Sequence, residues 1–117
     1  LDVARAQLQK GNVNEAFRTY ATLVLCDPFD PELQVGVANC ALHIQEYALA
    51  LQAASAVVAL VPSDPRGYCL SAKACIGLGQ PQEAHEDLTS ALELAGSSKD
   101  ASLKQEIQLL LSELGDI

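Results

Sequence analysis

Methionine and tryptophan are missing from the 117 residues, and the aromatics amount to three tyrosines and two phenylalanines. A chain this poor in flat side chains lacks the stacking platforms on which single-stranded nucleic acid is held. Cations are scarce as well: seven Lys and Arg stand against fifteen Asp and Glu, a formal charge of −8. Duplex nucleic acid and anionic bilayers are bound by neutralising phosphates, so this balance argues against both as partners. Long apolar runs are missing too. The longest, Ala56 to Pro62, falls far short of the roughly 20 residues that span a bilayer, so no direct membrane insertion is expected. The first residues do not read as a signal peptide. Four cysteines, Cys26, Cys40, Cys69 and Cys75, form no C-x-x-C pair, and their gaps of 14, 29 and 6 match neither a zinc nor a disulfide framework. They are expected as small buried apolar side chains in a reducing compartment, with no metal and no cofactor.

Apolar residues make up 50% of the chain, mostly Ala, Leu and Val, which is enough to bury one core and a poor fit to two. A single domain over 1–117 is the expectation. Leu1 already falls inside a helical pattern, so the chain reads as a fragment cut on its N-terminal side, with an N-terminal segment of the native protein absent.

A shift of 34 residues brings the chain onto itself. It superposes Ala16, Ala50 and Ala84; Ala4, Ala38 and Ala72; Leu8, Leu42 and Ile76; and Asp30-Pro31 on Asp64-Pro65. Pro28 then falls on Pro62, and Gly11 and Gly79 lie two periods apart with Gln45 midway. Each unit reads as two helices. Asp30 and Asp64 are expected as N-caps with Pro at the first helical position, opening helices over about Pro31 to Ile44 and Pro65 to Leu78. The glycines turn the chain between the two helices of a unit. Asn12 with Glu15 reads as a capping box, and Pro81 with Glu83 opens the corresponding helix of the third unit. Pro28 and Pro62 close the second helices, and Gly96-Ser97-Ser98 closes the last.

From Lys99 to Leu114 the pattern changes. Leu103, Ile107, Leu110, Leu111 and Leu114 form one apolar stripe on a seventh helix ending at Gly115, with Lys104, Glu106, Gln108 and Glu113 mostly on the other side. Such a helix can cap a stack, covering the last core with one face and wetting the other.

The 34-residue period, with small residues at repeat positions 8 and 20 and Pro at 32, resembles the tetratricopeptide repeat. The resemblance implies an all-α fold: three helix-turn-helix repeats (about 1–30, 31–64 and 65–98) and a capping helix (about 99–114) in a right-handed α-solenoid with a concave groove. Repeat positions 2, 5, 9, 12 and 13 then point into the groove. They hold Arg5, Leu8 and Gln9; Glu32, Val35, Asn39, Leu42 and His43; and Arg66, Cys69, Lys73 and Ile76. Leu70 counts with them as a candidate peptide contact. Leu8, Val35, Leu42 and Ile76 make an aliphatic seam flanked by Arg5, Arg66 and Lys73, with Asn39 and Gln9 available to a peptide backbone. The alternative is that Leu8, Leu42 and Ile76 pack within the helix pairs. The carboxylate clamp used by Hsp90 and Hsp70 co-chaperones is poorly matched, because its positions hold Leu1, Arg5, Gly36, Arg66 and Leu70.

A narrower stretch is more informative. Tyr20 and Leu23 precede Asp27-Pro28-Phe29-Asp30, and Val35-Gly36-Val37-Ala38-Asn39-Cys40 and Gln45-Glu46-Tyr47 follow. The order resembles the class II chaperones of bacterial type III secretion, which guard hydrophobic translocator proteins. The likeness implies a cytoplasmic bacterial chaperone whose groove takes an extended translocator segment of the P-x-L-x-x-P kind. It also implies a homodimer made through an N-terminal helix missing here. Arg5 departs from the aromatic residues of that family's first helix. The alternative expectation is a tetratricopeptide scaffold within a larger protein.

Chemistry is not expected. His43 and His85 read as surface residues, Ser55 and Ser71 lack a nucleophile elbow, and Glu86, Asp87 and Glu93 read as a solvated helix face. Asp27 and Asp30 read as helix-ending and capping residues.

Overall fold

The computed structural model describes residues 2–96 and 101–115. They form helices α1 (Asp2–Gln9), α2 (Val13–Cys26), α3 (Pro31–His43), α4 (Tyr47–Leu60), α5 (Pro65–Gly77), α6 (Pro81–Ala95) and α7 (Ala101–Leu114). The boundaries follow from local chemistry. Asp30 Oδ1 accepts the Glu32 N–H at 3.0 Å, and Asp64 Oδ1 accepts the Arg66 N–H at 3.0 Å. In both helices Pro occupies the first turn, where its missing N–H costs nothing. α3 and α5 stop one residue short of the expected ends, with Ile44 and Leu78 as C-caps.

Three turns within the helix pairs share one geometry. Asn12, Glu46 and Gln80 each donate an N–H to the carbonyl five residues back, on Gln7, Ala41 and Cys75, at 2.8 Å. The residue before each has positive φ: Gly11 at 82°, Gln45 at 61° and Gly79 at 75°. Two units use glycine, which adopts this conformation freely; the middle unit forces a glutamine into it, at a cost of about 1–2 kcal/mol. The same turns overturn the expected capping box. Asn12 makes no side-chain cap bond. Its N–H is already spent on Gln7, so Glu15 has no orphan donor to reach back to. Gln80, ahead of Pro81, likewise caps without its side chain. Gly96 ends α6 with an ordinary φ of −57°, while Ser97, Ser98 and Lys99 lie outside the described residues.

Helix pairs stack through alanine. Ala4, Ala38 and Ala72, and Ala16, Ala50 and Ala84, are all completely buried. A methyl group lets neighbouring backbones come close, and the same contact recurs every period. Gly36 serves the same end: a Cβ there would clash with the Tyr20 ring, so the ring lies flat on α3 backbone. That contact is the physical content of the Tyr20 and Val35-Gly36-Val37 pattern. The stripe on α7 packs as expected: Ile107 is fully buried, and Leu103, Leu110, Leu111 and Leu114 close over Cys69, Leu88 and Ala91. Three cysteines are buried, but Cys26 is exposed at the last position of α2, where the chain leaves the stack for the Asp27–Asp30 turn.

Ala50 packs against Ala41 and Ala74, from the helices before and after it. Ala50→Leu is therefore expected to destabilise the protein by about 1–3 kcal/mol through overpacking. Urea titration followed by helical CD measures this, and an unchanged midpoint would contradict the placement of the contact.

Candidate functional site

Residues from α3, α5 and α7 converge on a cleft of about 180 Å³, lined by Val35, Asn39, Arg66, Cys69, Leu70, Lys73, Leu103 and Glu106. An adjoining cleft of about 260 Å³ is lined by Asn39, Leu42, His43 and Lys73. Asn39 and Lys73 belong to both, which makes the two clefts one trough. The helical geometry explains the set: Val35, Asn39 and Leu42 are spaced four and three apart on α3, as Arg66, Leu70 and Lys73 are on α5. Pockets that enclose whole small molecules run to about 300–1,000 Å³. Each of these clefts is smaller, a size suited to single side chains of a longer chain.

Eight of the thirteen expected groove residues line these clefts: Val35, Asn39, Leu42, His43, Arg66, Cys69, Leu70 and Lys73; Glu32 and Ile76 line neither. Arg5, Leu8 and Gln9 of α1 line neither cleft. Leu8 instead packs on Ala4, Ala16, Tyr20 and Cys40, the within-pair role weighed as its alternative. Arg5 and Gln9 are exposed. Val35 and Leu42 also touch the buried Ala38–Ala53–Leu70 cluster, so they serve groove and core together.

The expected cations are present but not free. Arg66 Nη2 donates to Glu32 Oε1 at 2.6 Å and Nη1 to Glu32 Oε2 at 3.1 Å. Its Nε and Nη2 also reach Asp64 Oδ2 at 3.0 and 2.8 Å. Glu32 and Arg66 are 34 residues apart, the same repeat position on successive units. The hydrogen bonds that Arg66 donates to Glu32, then those it donates to Asp64, raise its pKa, and the same bond lowers that of Glu32. At Asp64 burial pushes upward, and three separate interactions with Arg66 outweigh it to leave the pKa lowered.

α7 supplies what sequence reasoning missed. Leu103 lines the cleft, and Glu106, expected on the wet side of α7, turns back to α5. Glu106 Oε1 pairs with Lys73 Nζ and accepts from Cys69 Sγ at 3.9 Å. The signal was available in the three-residue spacing of Leu103 and Glu106, which puts both on one face.

Burial pushes the Cys69 thiol up to about 11, the Lys73 charge opposing and the Glu106 charge adding to the rise. It is therefore protonated and a poor nucleophile at neutral pH. Asp87 is a second correction. It does not sit on a solvated face: Ser71 Oγ donates to its Oδ2 at 2.7 Å, and Cys75 Sγ reaches the same oxygen at 3.9 Å. Desolvation raises the Asp87 pKa, the Ser71 bond pulls it down, and Glu86 and Glu83 push it further up. Among the described residues no three His, Cys, Asp or Glu side chains converge as a metal site. No described helix is long and apolar enough to cross a membrane.

With this geometry in place, comparison with known proteins gives three results. The family model described as tetratricopeptide repeat matches residues 1–65. The chain is 34% identical over 97 residues to cellulose synthase operon protein C of Pseudomonas fluorescens, covering 83% of this chain. It is 32% identical over 110 residues to the DnaJ homolog subfamily C member 7 homolog of Schizosaccharomyces pombe, covering 91% of this chain. The chain spans only 8% and 23% of the length of these two relatives. In structure it is similar to the Yersinia enterocolitica type III secretion chaperone SycD, solved in complex with a peptide of the translocator YopD. The TM-score is 0.90 at 23% identity, over 97% of this chain and 87% of that one, a likeness of fold.

Two measurements check the site. Cys26 is expected to react with a thiol-specific disulfide reagent at the rate of free cysteine, and Cys40, Cys69 and Cys75 at least about tenfold more slowly; four equal rates would refute the burial pattern. The second concerns pH. A carboxyl whose folded pKa is raised carries no penalty below its ordinary value of 3.8, and acquires one as pH rises through the folded value. Asp87→Asn should therefore melt above the parent at pH 7, with the gap closing as pH falls toward 4. Glu32 and Asp64, with lowered pKa values, stabilise at neutral pH and lose that contribution on acidification, so Glu32→Gln should flatten the acid side of the parent's curve.

Proposed function

The chain belongs to the tetratricopeptide-repeat family, and from that premise we propose that it is a chaperone for a hydrophobic type III secretion translocator. In this reading the trough of α3, α5 and α7 binds an extended translocator segment and keeps it soluble before secretion. The observation that carries the proposal is the trough itself: two side-chain-sized clefts in series, with aliphatic walls from Val35, Leu42, Leu70 and Leu103 and an amide, Asn39, at their junction. An extended segment with Pro and Leu at intervals, of the P-x-L-x-x-P kind, places alternate apolar side chains in such clefts. Its polyproline-like backbone is already ordered, so less entropy is lost on binding. The Asn39 amide offers both a donor and an acceptor to that backbone. The SycD complex with a translocator peptide supports the reading through the shared fold.

The wider expectations join this proposal: one domain over residues 1–117 with repeats at about 1–30, 31–64 and 65–98 and a capping helix at about 99–114, a bacterial cytoplasmic setting, and a homodimer. A second reading has its own support. Both curated relatives are several times longer than this chain, which suits a tetratricopeptide scaffold inside a larger protein.

Asn39 separates binding from folding better than Leu42, which also packs in the core. Asn39→Glu is expected to weaken capture of a translocator segment at least about tenfold while the melting temperature stays within a few degrees of the parent. Isothermal titration with the purified segment, alongside CD melting, reads both quantities. Undiminished binding would place the segment elsewhere, and failure of the parent to bind any translocator segment would favour the scaffold.

A further inference from the structure

The trough holds two cations, and the fold brings counter-ions to both. Arg66 is gripped by Glu32 and Asp64, and Lys73 by Glu106. Three carboxylates thus surround two cations, and the trough lies in a chain of formal charge −8. An incoming carboxylate would have to displace a resident one and would be repelled by those that remain. An uncharged segment meets no such barrier. The three carboxylates differ in what holds them. Asp64 is fixed by its cap bond to the Arg66 N–H, while Glu32 and Glu106 cap nothing and reach the cations by their side chains alone. Glu106 moreover arrives from α7, outside the three stacked helix pairs.

We propose, on the reading of this trough as a segment-binding site, that Glu32 and Glu106 are specificity-determining residues. They keep Arg66 and Lys73 electrically occupied, so the trough accepts an uncharged extended segment and turns an acidic one away. Specificity of this kind is built by repulsion of the wrong partner rather than by added attraction for the right one. The same scaffold with these two carboxylates neutralised would leave Lys73 without its counter-ion and Arg66 held by Asp64 alone, two cations seven residues apart on one helix face, an arrangement better suited to acidic chains.

Two synthetic peptides of equal length test this, one built from Pro, Leu and Ser and the other with Asp or Glu at every second position. Fluorescence anisotropy gives the affinity of each for the parent chain, for Glu106→Gln and for the Glu32→Gln/Glu106→Gln double variant. The parent should prefer the uncharged peptide, and the double variant should shift the preference toward the acidic peptide by about tenfold or more, with Glu106→Gln intermediate. Raising salt should narrow the parent's preference, a readout independent of whether any variant folds. A preference unchanged by the substitutions, or by salt, overturns the specificity proposal while leaving the binding site standing. A parent that binds neither peptide overturns the binding site and the specificity proposal together.

Discussion

The architecture depends on how closely two helix backbones are allowed to approach. At Ala4, Ala38 and Ala72, and again at Ala16, Ala50 and Ala84, the side chain is a single methyl and is completely buried. Nothing larger fits without pushing the helices apart, and because the contact recurs at one spacing, any change in it would be repeated along the stack. The inclination of each pair on the next, and with it the trough along α3 and α5, follows from this recurrence. Tyr20 on Gly36 and Tyr47 on Gly77 are local variations: a large ring is accommodated because the facing residue has no side chain at all.

Charge is handled within the same geometry. The chain is strongly acidic, yet its concave cations are not left to attract whatever acid is nearby. Glu32 and Arg66 occupy one repeat position on successive units, so the stacking that builds the trough also delivers the counter-ion to the guanidinium. Lys73 is met from the opposite direction by α7. The capping helix therefore does two things with two faces. Its apolar stripe seals the last core through Ile107, and the edge carrying Leu103 and Glu106 walls the trough. Polar groups at the α5–α6 contact follow the same logic, with Ser71 and Cys75 both turned toward Asp87.

Much of this was legible in the order of residues. Period, helix starts at Asp30-Pro31 and Asp64-Pro65, left-handed turns at Gly11 and Gly79, and the stripe of α7 are local or repetitive signals, and repetition amplifies them. Seven cleft-lining positions, Val35, Asn39, Leu42, His43, Arg66, Cys69 and Lys73, follow from the repeat register read through the tetratricopeptide resemblance. The departures each have a local cause. The Asn12 capping box was lost because a neighbouring turn had already taken its donor, and Leu8 was lost to packing against Tyr20. Cys26 was misjudged because its position ends a helix rather than lying within one.

By itself, the sequence determined the all-α stack, its period and the direction in which most side chains face. These depend on propensity, capping and helical spacing, which act over a few residues and are copied from unit to unit. Only the tertiary structure decided which charges meet. Glu106 lies 33 residues beyond Lys73 and outside the repeat, and Asp87 lies 16 beyond Ser71, so no periodicity links either pair. Their partnership arises when packed helices bring distant segments within hydrogen-bonding reach, and such meetings shift the ionisation of the groups that meet.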